Sequence, residues 1–277
     1  MPRGVLRWKV SKAGVGEIEA APLPLDTLKF DLTAAAAAPS GMVYVPAGTA
    51  GDFLAVLGRV GPYTLPPFFA DKFEVTNRQF QEFVDRGGYT NQAFWKEPIT
   101  REGRELGWTE AMRLFLDTTG RPGPSTWEGG HYPDGKGDNP VAGVSWYEAA
   151  AYARWLGKRL PTDAEWVKAA SSPIVLPGGE LRQRRYPWGD IADGSRANLW
   201  GSGPQHTTPV DANASGDTSN GIRQLIGNVW EWTAADLDVR AWERLWPDGS
   251  LHITALKALR GGAFDTYFDV QATCQFQ

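Results

Sequence analysis

The stretch "SWYEAAAYARWLGKRLPTDAEWVKAA", residues 145–170, decides how this chain is read. Ser145 stands three residues before Glu148, and Thr162 stands three before Glu165. At that spacing a hydroxyl and a carboxylate each satisfy one of the backbone N–H groups that a helix start leaves open, so two helices are expected here. After Ser145, the residues Ala149, Tyr152, Ala153 and Leu156 fall on one face. Upstream, "TNRQF" repeats the arrangement with Thr76 and Gln79, and Phe80, Phe83 and Val84 follow on one face of a third helix. "WTEAMRLFLD", residues 108–117, predicts a fourth.

Beyond Ser171 the pattern changes to "YPWGD", "GSRANLWGSG", "DANASGDTSNG" and "WPDGS", rich in Gly, Asn, Asp and Trp. These are turn formers, so loops are expected, with short strands near "NVWEWT" and "ALKALRGG". Trp188, Trp200, Trp230 and Trp232 supply large anchors for such loops. Towards the start, "MVYV" reads as a strand stopped by Pro46 and Gly48. Residues 1–32 alternate apolar and polar around "VLRWKVSKAG" and "LDTLKFDL", the pattern of a small β segment or the end of a preceding domain. Residues 33–40, small side chains with one Pro, read as a linker, and 41–277 as the main domain.

Composition narrows the function. With 277 residues and 42% hydrophobic side chains the chain can bury a substantial core. A net charge of -4, without a basic stripe, argues against nucleic acid as the partner. No apolar run reaches the roughly 18 residues that span a bilayer, so a soluble protein, cytoplasmic by default, is expected. One cysteine permits no internal disulfide. Thirteen Trp and 32 Gly point to tightly packed irregular loops.

The motifs "GMVYVPAG", "FEVTNRQFQEFVDRGGY", "PVAGVSWYEAAAYARWLGKRLPTDAEWVKAA", "YPWGD", "RANLW", "LIGNVWEWT" and "LRGGAFD" stand in an order that resembles the formylglycine-generating enzyme, or sulfatase-modifying factor, family. The resemblance runs from Gly41 to the C-terminus. It implies an α+β chain with a variant of the C-type lectin-like fold, low in regular structure, and a last strand lying beyond Gln277. Residues 1–32 resemble short β-domains found before such modules, sometimes in chains that carry a protein kinase, so a fused or cooperating kinase is an expected partner.

By the same resemblance, enzymes of the family oxidise a substrate cysteine with oxygen, using two copper(I)-binding cysteines after "RGG". Soft thiolates suit that ion. Counted from Arg260, the matching positions are Thr266 and Gln271, neither a thiol, so copper is not expected. Cys274 stands alone and reads as a buried small hydrophobe, catalytic only if the chain is an oxidase after all. Relatives that oxidise thiol compounds with non-haem iron need two His and a carboxylate, whereas His131, His206 and His252 are isolated in polar loops. "GDTSNG" and "EGGHYPDGKGDNP" lack the frame of a phosphate-binding loop and read as turns. Calcium is the expected metal, because late loops rich in oxygen ligands suit a hard cation. The resemblance places one site at Asn228, Val229 and Glu231 and part of another at Asn198 and Leu199.

The tail offers Asp265, Thr266, Tyr267, Phe268, Asp269, Gln271 and Gln275 as ligand-binding residues, with strand alternation turning some rings outward. The expectation that follows is a non-catalytic module that binds a protein or small molecule through its late loops and C-terminal segment, with a retroelement-diversified variable protein as a special case. The alternative is a formylglycine-generating-type oxidase acting on a peptide cysteine.

Overall fold

The computed structural model describes residues 8–13, 16–20, 32, 37–54, 58–175, 180–236 and 256–276, and in it all three capping boxes close. Thr76 Oγ1 accepts from Gln79 N at 3.2 Å while Thr76 N donates to Gln79 Oε1 at 2.9 Å. Ser145 with Glu148 and Thr162 with Glu165 repeat the exchange. The helices so started are α1 (Asn77–Asp85), α3 (Trp146–Trp155) and α4 (Asp163–Ser171). Between them α2 covers only Trp108–Ala111 and continues as one 3-10 turn, Met112–Leu114. The expected ten-residue helix is therefore four residues of α-helix followed by three of 3-10 turn. Its N-cap, Gly107, makes no side-chain hydrogen bond, and just beyond it Asp117 Oδ1 captures the N–H groups of Thr119 and Arg121 for a turn.

Among the described residues twelve short strands follow the chain order β1 (Trp8–Lys12), β2 (Gly16–Ala20), β3 (Met42–Val45), β4 (Gly48–Leu54), β5 (Gly58–Leu65), β6 (Phe68–Asp71), β7 (Thr100–Arg101), β8 (Arg104–Glu105), β9 (Ile174–Val175), β10 (Leu181–Arg182), β11 (Glu231–Asp236) and β12 (Lys257–Arg260). They pair only in twos: β1 with β2, β3 with β6, β4 with β5, β7 with β8, β9 with β10 and β11 with β12, all antiparallel. Among the described residues no sheet is wider than two strands, which makes this a mixed helix and strand chain of low regular structure. The stretch "LDTLKFDL" lies outside the described residues except for Leu32, as do residues 33–36 of the expected linker and His252.

Contacts divide the chain into two units. One comprises Glu74–Leu160 with Thr208–Val210. Its core is a set of rings: Phe80 stacks on Tyr152 at 5.1 Å, Trp127 meets Phe80 edge-on at 6.1 Å, and Phe83 packs on Tyr89, Tyr152 and Trp155. Trp127 is fully buried, and its indole N–H finds Asn77 Oδ1 at 3.1 Å. The predicted apolar face of α3 is only partly right, because Leu156 ends the helix 41% exposed while Ala150 and Ala151 are buried.

The other unit comprises Met1–Phe73, Pro161–Thr207 and Asp211–Gln277. Its core gathers Val45 of β3, Trp166, Val167 and Ala170 of α4, and Ile222, Ile226 and Cys274 from the late loops. Trp188 packs partly buried against this core, stacked on Tyr186 at 5.1 Å. Trp230 touches Phe276, but Trp200, expected as an anchor, is 46% exposed.

Candidate active site and cation site

Every expected ligand residue of the tail belongs to the unit that contains α4 and β12. Strand β12 ends at Arg260, whose side chain is fully buried and reaches back to the first turn of α4. Its Nε donates to Asp163 Oδ1 at 2.8 Å, Nη2 to Asp163 Oδ2, and Nη1 to the Phe276 carbonyl at 2.8 Å. A planar guanidinium matches a carboxylate in this forked way, and here the same group also holds the chain end. Gly261 and Gly262 follow with φ of +94° and +76°, and a Cβ on Gly261 would stand 2.6 Å from the Leu225 carbonyl. Only glycine turns the chain there.

The next residues form tight turns in place of the expected strand. Ala263 N donates to Thr266 Oγ1 at 2.8 Å, and Thr266 N donates to the Ala263 carbonyl at 2.9 Å. Thr266 is thereby buried and engaged in closing a turn. Tyr267 and Phe268, adjacent in sequence, both face out at 70% and 62% exposure, their rings edge to face at 5.4 Å. Alternation fails because turns, unlike strands, do not send successive side chains to opposite sides. Asp265 and Asp269 flank the rings, exposed, and among the described residues neither forms an ion pair. Gln271 is half-buried, and Gln275 Nε2 donates to the Arg184 carbonyl at 2.8 Å, so Gln275 acts as a tether. The structure thus brings Asp265, Tyr267, Phe268 and Asp269 to the surface together and turns Thr266 and Gln275 to structural use.

Cys274 is fully buried in the apolar core, and its backbone N–H bonds the Arg185 carbonyl at 2.9 Å. Desolvation pushes its thiol well above the usual range, despite the pull of Arg260 and Arg184. Burial in apolar surroundings disfavours the thiolate that a nucleophile or a metal ligand requires. The copper(I) pair of the family does not fit this chain, since Thr266 offers a hydroxyl that already accepts a hydrogen bond and Gln271 offers an amide. His131 and His206 are exposed and lie in different units. Among the described residues no group of three or more His, Cys, Asp or Glu is placed to hold a metal ion.

Oxygen ligands are differently arranged. Asn198 and Asn228, expected in separate calcium sites, bond to each other, while Leu199 is partly buried against the core and Val229 is half-buried. Glu231 of β11 accepts from Trp166 Nε1 at 2.7 Å, and burial lifts its carboxyl to about 7. The sequence reading missed the pairing of Glu231 with Trp166 and that of Arg260 with Asp163. Both residues of α4 lie directly behind the Thr162 cap, a position from which only the fold sends them across to β11 and β12.

The profile of the sulfatase-modifying factor enzyme 1-like domain matches residues 30–275. A hercynine oxygenase of Mycobacterium tuberculosis is 37% identical over 192 residues, covering 66% of this chain and 40% of that protein. The chain therefore spans about two fifths of the length of such relatives. A formylglycine-generating enzyme of Thermomonospora curvata is 34% identical over 232 residues, 70% of this chain and 71% of that enzyme. The serine/threonine-protein kinase Pkn1 of Chlamydia trachomatis is 34% identical over 210 residues, 74% of this chain but 30% of the kinase. Among solved structures, that of CarF aligns with a TM-score of 0.50 at 21% identity, covering 86% of this chain and 96% of CarF. Among the described residues no helix is long and apolar enough to cross a membrane. The oxygenase and the formylglycine-generating enzyme overturn the expectation of a non-catalytic binding module, because the matched region is one that named enzymes of oxidation carry.

Proposed function

The chain belongs to the sulfatase-modifying factor enzyme 1-like family, and from that premise we propose that it is the oxidase-type module of an enzyme that uses oxygen to oxidise a sulfur-containing substrate. The observation that carries this reading is the 37% identity to a hercynine oxygenase, joined by the 34% identity to a formylglycine-generating enzyme over a longer stretch. The two names point to hercynine and to a residue converted to formylglycine as the substrate classes to try first. The C-type lectin-like form of the fold is part of the same reading, supported by the family profile and by the likeness to CarF. The division into a β segment at 1–32, a linker at 33–40 and a domain from 41 belongs to the same reading, although the family profile begins earlier, at residue 30.

In this reading substrate meets the chain at Asp265, Tyr267, Phe268 and Asp269, where exposed rings and carboxylates stand on a backbone fixed by turns. Rings give contact area at little cost in conformational entropy, and carboxylates orient a polar or charged substrate. Arg260 and Asp163 position that segment through the bonds to Phe276 and α4. Thr266 holds the turn beneath the rings. Association with a protein kinase remains part of the proposal, supported by the match to Pkn1.

The test measures oxygen uptake and product mass for the purified chain with a cysteine-containing peptide, and separately with hercynine and a thiol, each with and without added copper(I) or iron(II). Substrate-dependent uptake that falls at least about tenfold in Tyr267→Ser with no loss of stability is the expected result. A folded chain that consumes no oxygen under any of these conditions overturns the reading.

A further inference from the structure

Lys168 stands towards the end of α4 and is 6% exposed, an uncommon place for an amine. Its Nζ donates to the carbonyl of Pro46, in the turn that joins β3 to β4, and among the described residues it has no other hydrogen-bond partner. An ammonium brings three donors and meets one acceptor here, whereas a neutral amine leaves less unsatisfied.

Helix α4 packs on β4, β5 and β11, and Val45 of β3 shares its core. On α4 itself Asp163 is held by Arg260, and Glu165 by the Thr162 cap. On β11 Glu231 accepts from Trp166, and Asp236 pairs with Lys257. Tyr44 of β3, Asp52 of β4, and Arg59 and Tyr63 of β5 complete the titratable and charged residues of these strands. Among the described residues none of them forms an ion pair with Lys168, and burial lowers its amine to about 8.

The turn above the amine is built to move. Pro46 and Ala47 are exposed, while Val45 before them and Ala50 after them are buried. The flanking strands are therefore pinned, and residues 46–48 are the part that can lift. A Cβ on Gly48 would stand 3.6 Å from Lys168 Cε, so the turn lies directly on the lysine stem. Lifting it opens Nζ to water, which a charged amine gains from and a neutral one hardly does.

We infer that Lys168 and residues 46–48 form a pH-sensitive latch: a neutral amine lies closed beneath the turn, and an ammonium favours the lifted turn. This holds whatever substrate the chain oxidises. The unfolded chain keeps this amine protonated up to 10.5, whereas the folded chain releases the proton near 8. The stability contributed by the site is therefore complete above pH 10.5 and is lost as pH falls through about 8.

The test compares the whole chain with Lys168→Met, which keeps an apolar stem and removes the charge. From about pH 7 to pH 10.5, the folding equilibrium constant of the wild type relative to the variant should rise on the order of a hundredfold in urea titrations. At about pH 7, amides of residues 47–49 should exchange at least about tenfold faster in the wild type, and low urea should not alter that rate, the mark of a local opening. NMR of lysine labelled at Cε should show one amine of the wild type titrating near 8. Parallel stability curves for the two proteins overturn the inference, as does a wild-type spectrum in which every lysine titrates near 10.5. Equal exchange at residues 47–49 in the two proteins overturns it too, because the turn then does not lift.

Discussion

The ring-lined core of residues 74–160 and the polar hubs of the other unit are both largely buried, but they are held by opposite means. In the first, Phe80, Phe83, Trp127 and Tyr152 fill space with apolar area, and any comparable volume meets much of the need. In the second, Arg260 with Asp163 and Asn198 with Asn228 are fixed by direction and by which atom donates. The lesson is that the helical core should tolerate change of shape and the loops should tolerate almost none.

A large effect is expected where a buried charge loses its partner. Arg260→Ala takes the guanidinium from the half-buried Asp163 carboxylate, leaves the Thr233 hydroxyl beside it, and should cost about 3 kcal/mol in urea unfolding. Arg260→Lys should recover little of it, because an ammonium cannot span both carboxylate oxygens and the Phe276 carbonyl. Recovery of most of the loss by Lys would erase the proposed contrast. On the other side, Phe83→Ala should cost about 3–4 kcal/mol through the cavity it opens, while Phe83→Leu should cost about 1.5 kcal/mol or less. A cost for Leu as large as that for Ala would show that this core, too, demands one shape.

Acidity separates the regions further. The Glu231 carboxyl rises from 4.5 to about 7 because burial disfavours its charged form. The folded chain then holds a proton that the unfolded chain has released, so the stability this group contributes is complete below pH 4.5 and is lost as pH climbs through about 7. Glu231→Gln should flatten that window, with a difference of about 3 kcal/mol between its ends relative to wild type. Parallel stability curves for the two proteins would refute the assignment. The smallest effect concerns a local device: Thr76→Ala removes one cap of α1 and should lower stability by about 1 kcal/mol, measurable as a modest drop in Tm.

How much was legible in the sequence follows the same division. The three capped helices could be read because each cap joins residues three apart, and strand β3 because Pro46 and Gly48 stop it. The order of motifs from "GMVYVPAG" to "LRGGAFD" was enough to name the family. The absence of the thiol pair was legible as well, but the inference from it to a non-catalytic module was wrong, because a missing ligand type says nothing about activity carried by the rest of a family's machinery. The tail misled in a second way. "FDTYFD" reads as a strand by composition, yet Thr266 closes a turn that puts Tyr267 and Phe268 on the same exposed side.

By itself, then, the amino-acid order determined the helix starts, the loop-rich character of the chain beyond Ser171 and the family, since each depends on spacing within a few residues or on motif identity. Only the tertiary structure decided that Arg260 grips Asp163 from 97 residues away, that Asn198 and Asn228 share one hub, and which of the tail's side chains face outward. The physical reason is that a buried polar atom must find its partner wherever the chain brings one, and no local periodicity records where that will be.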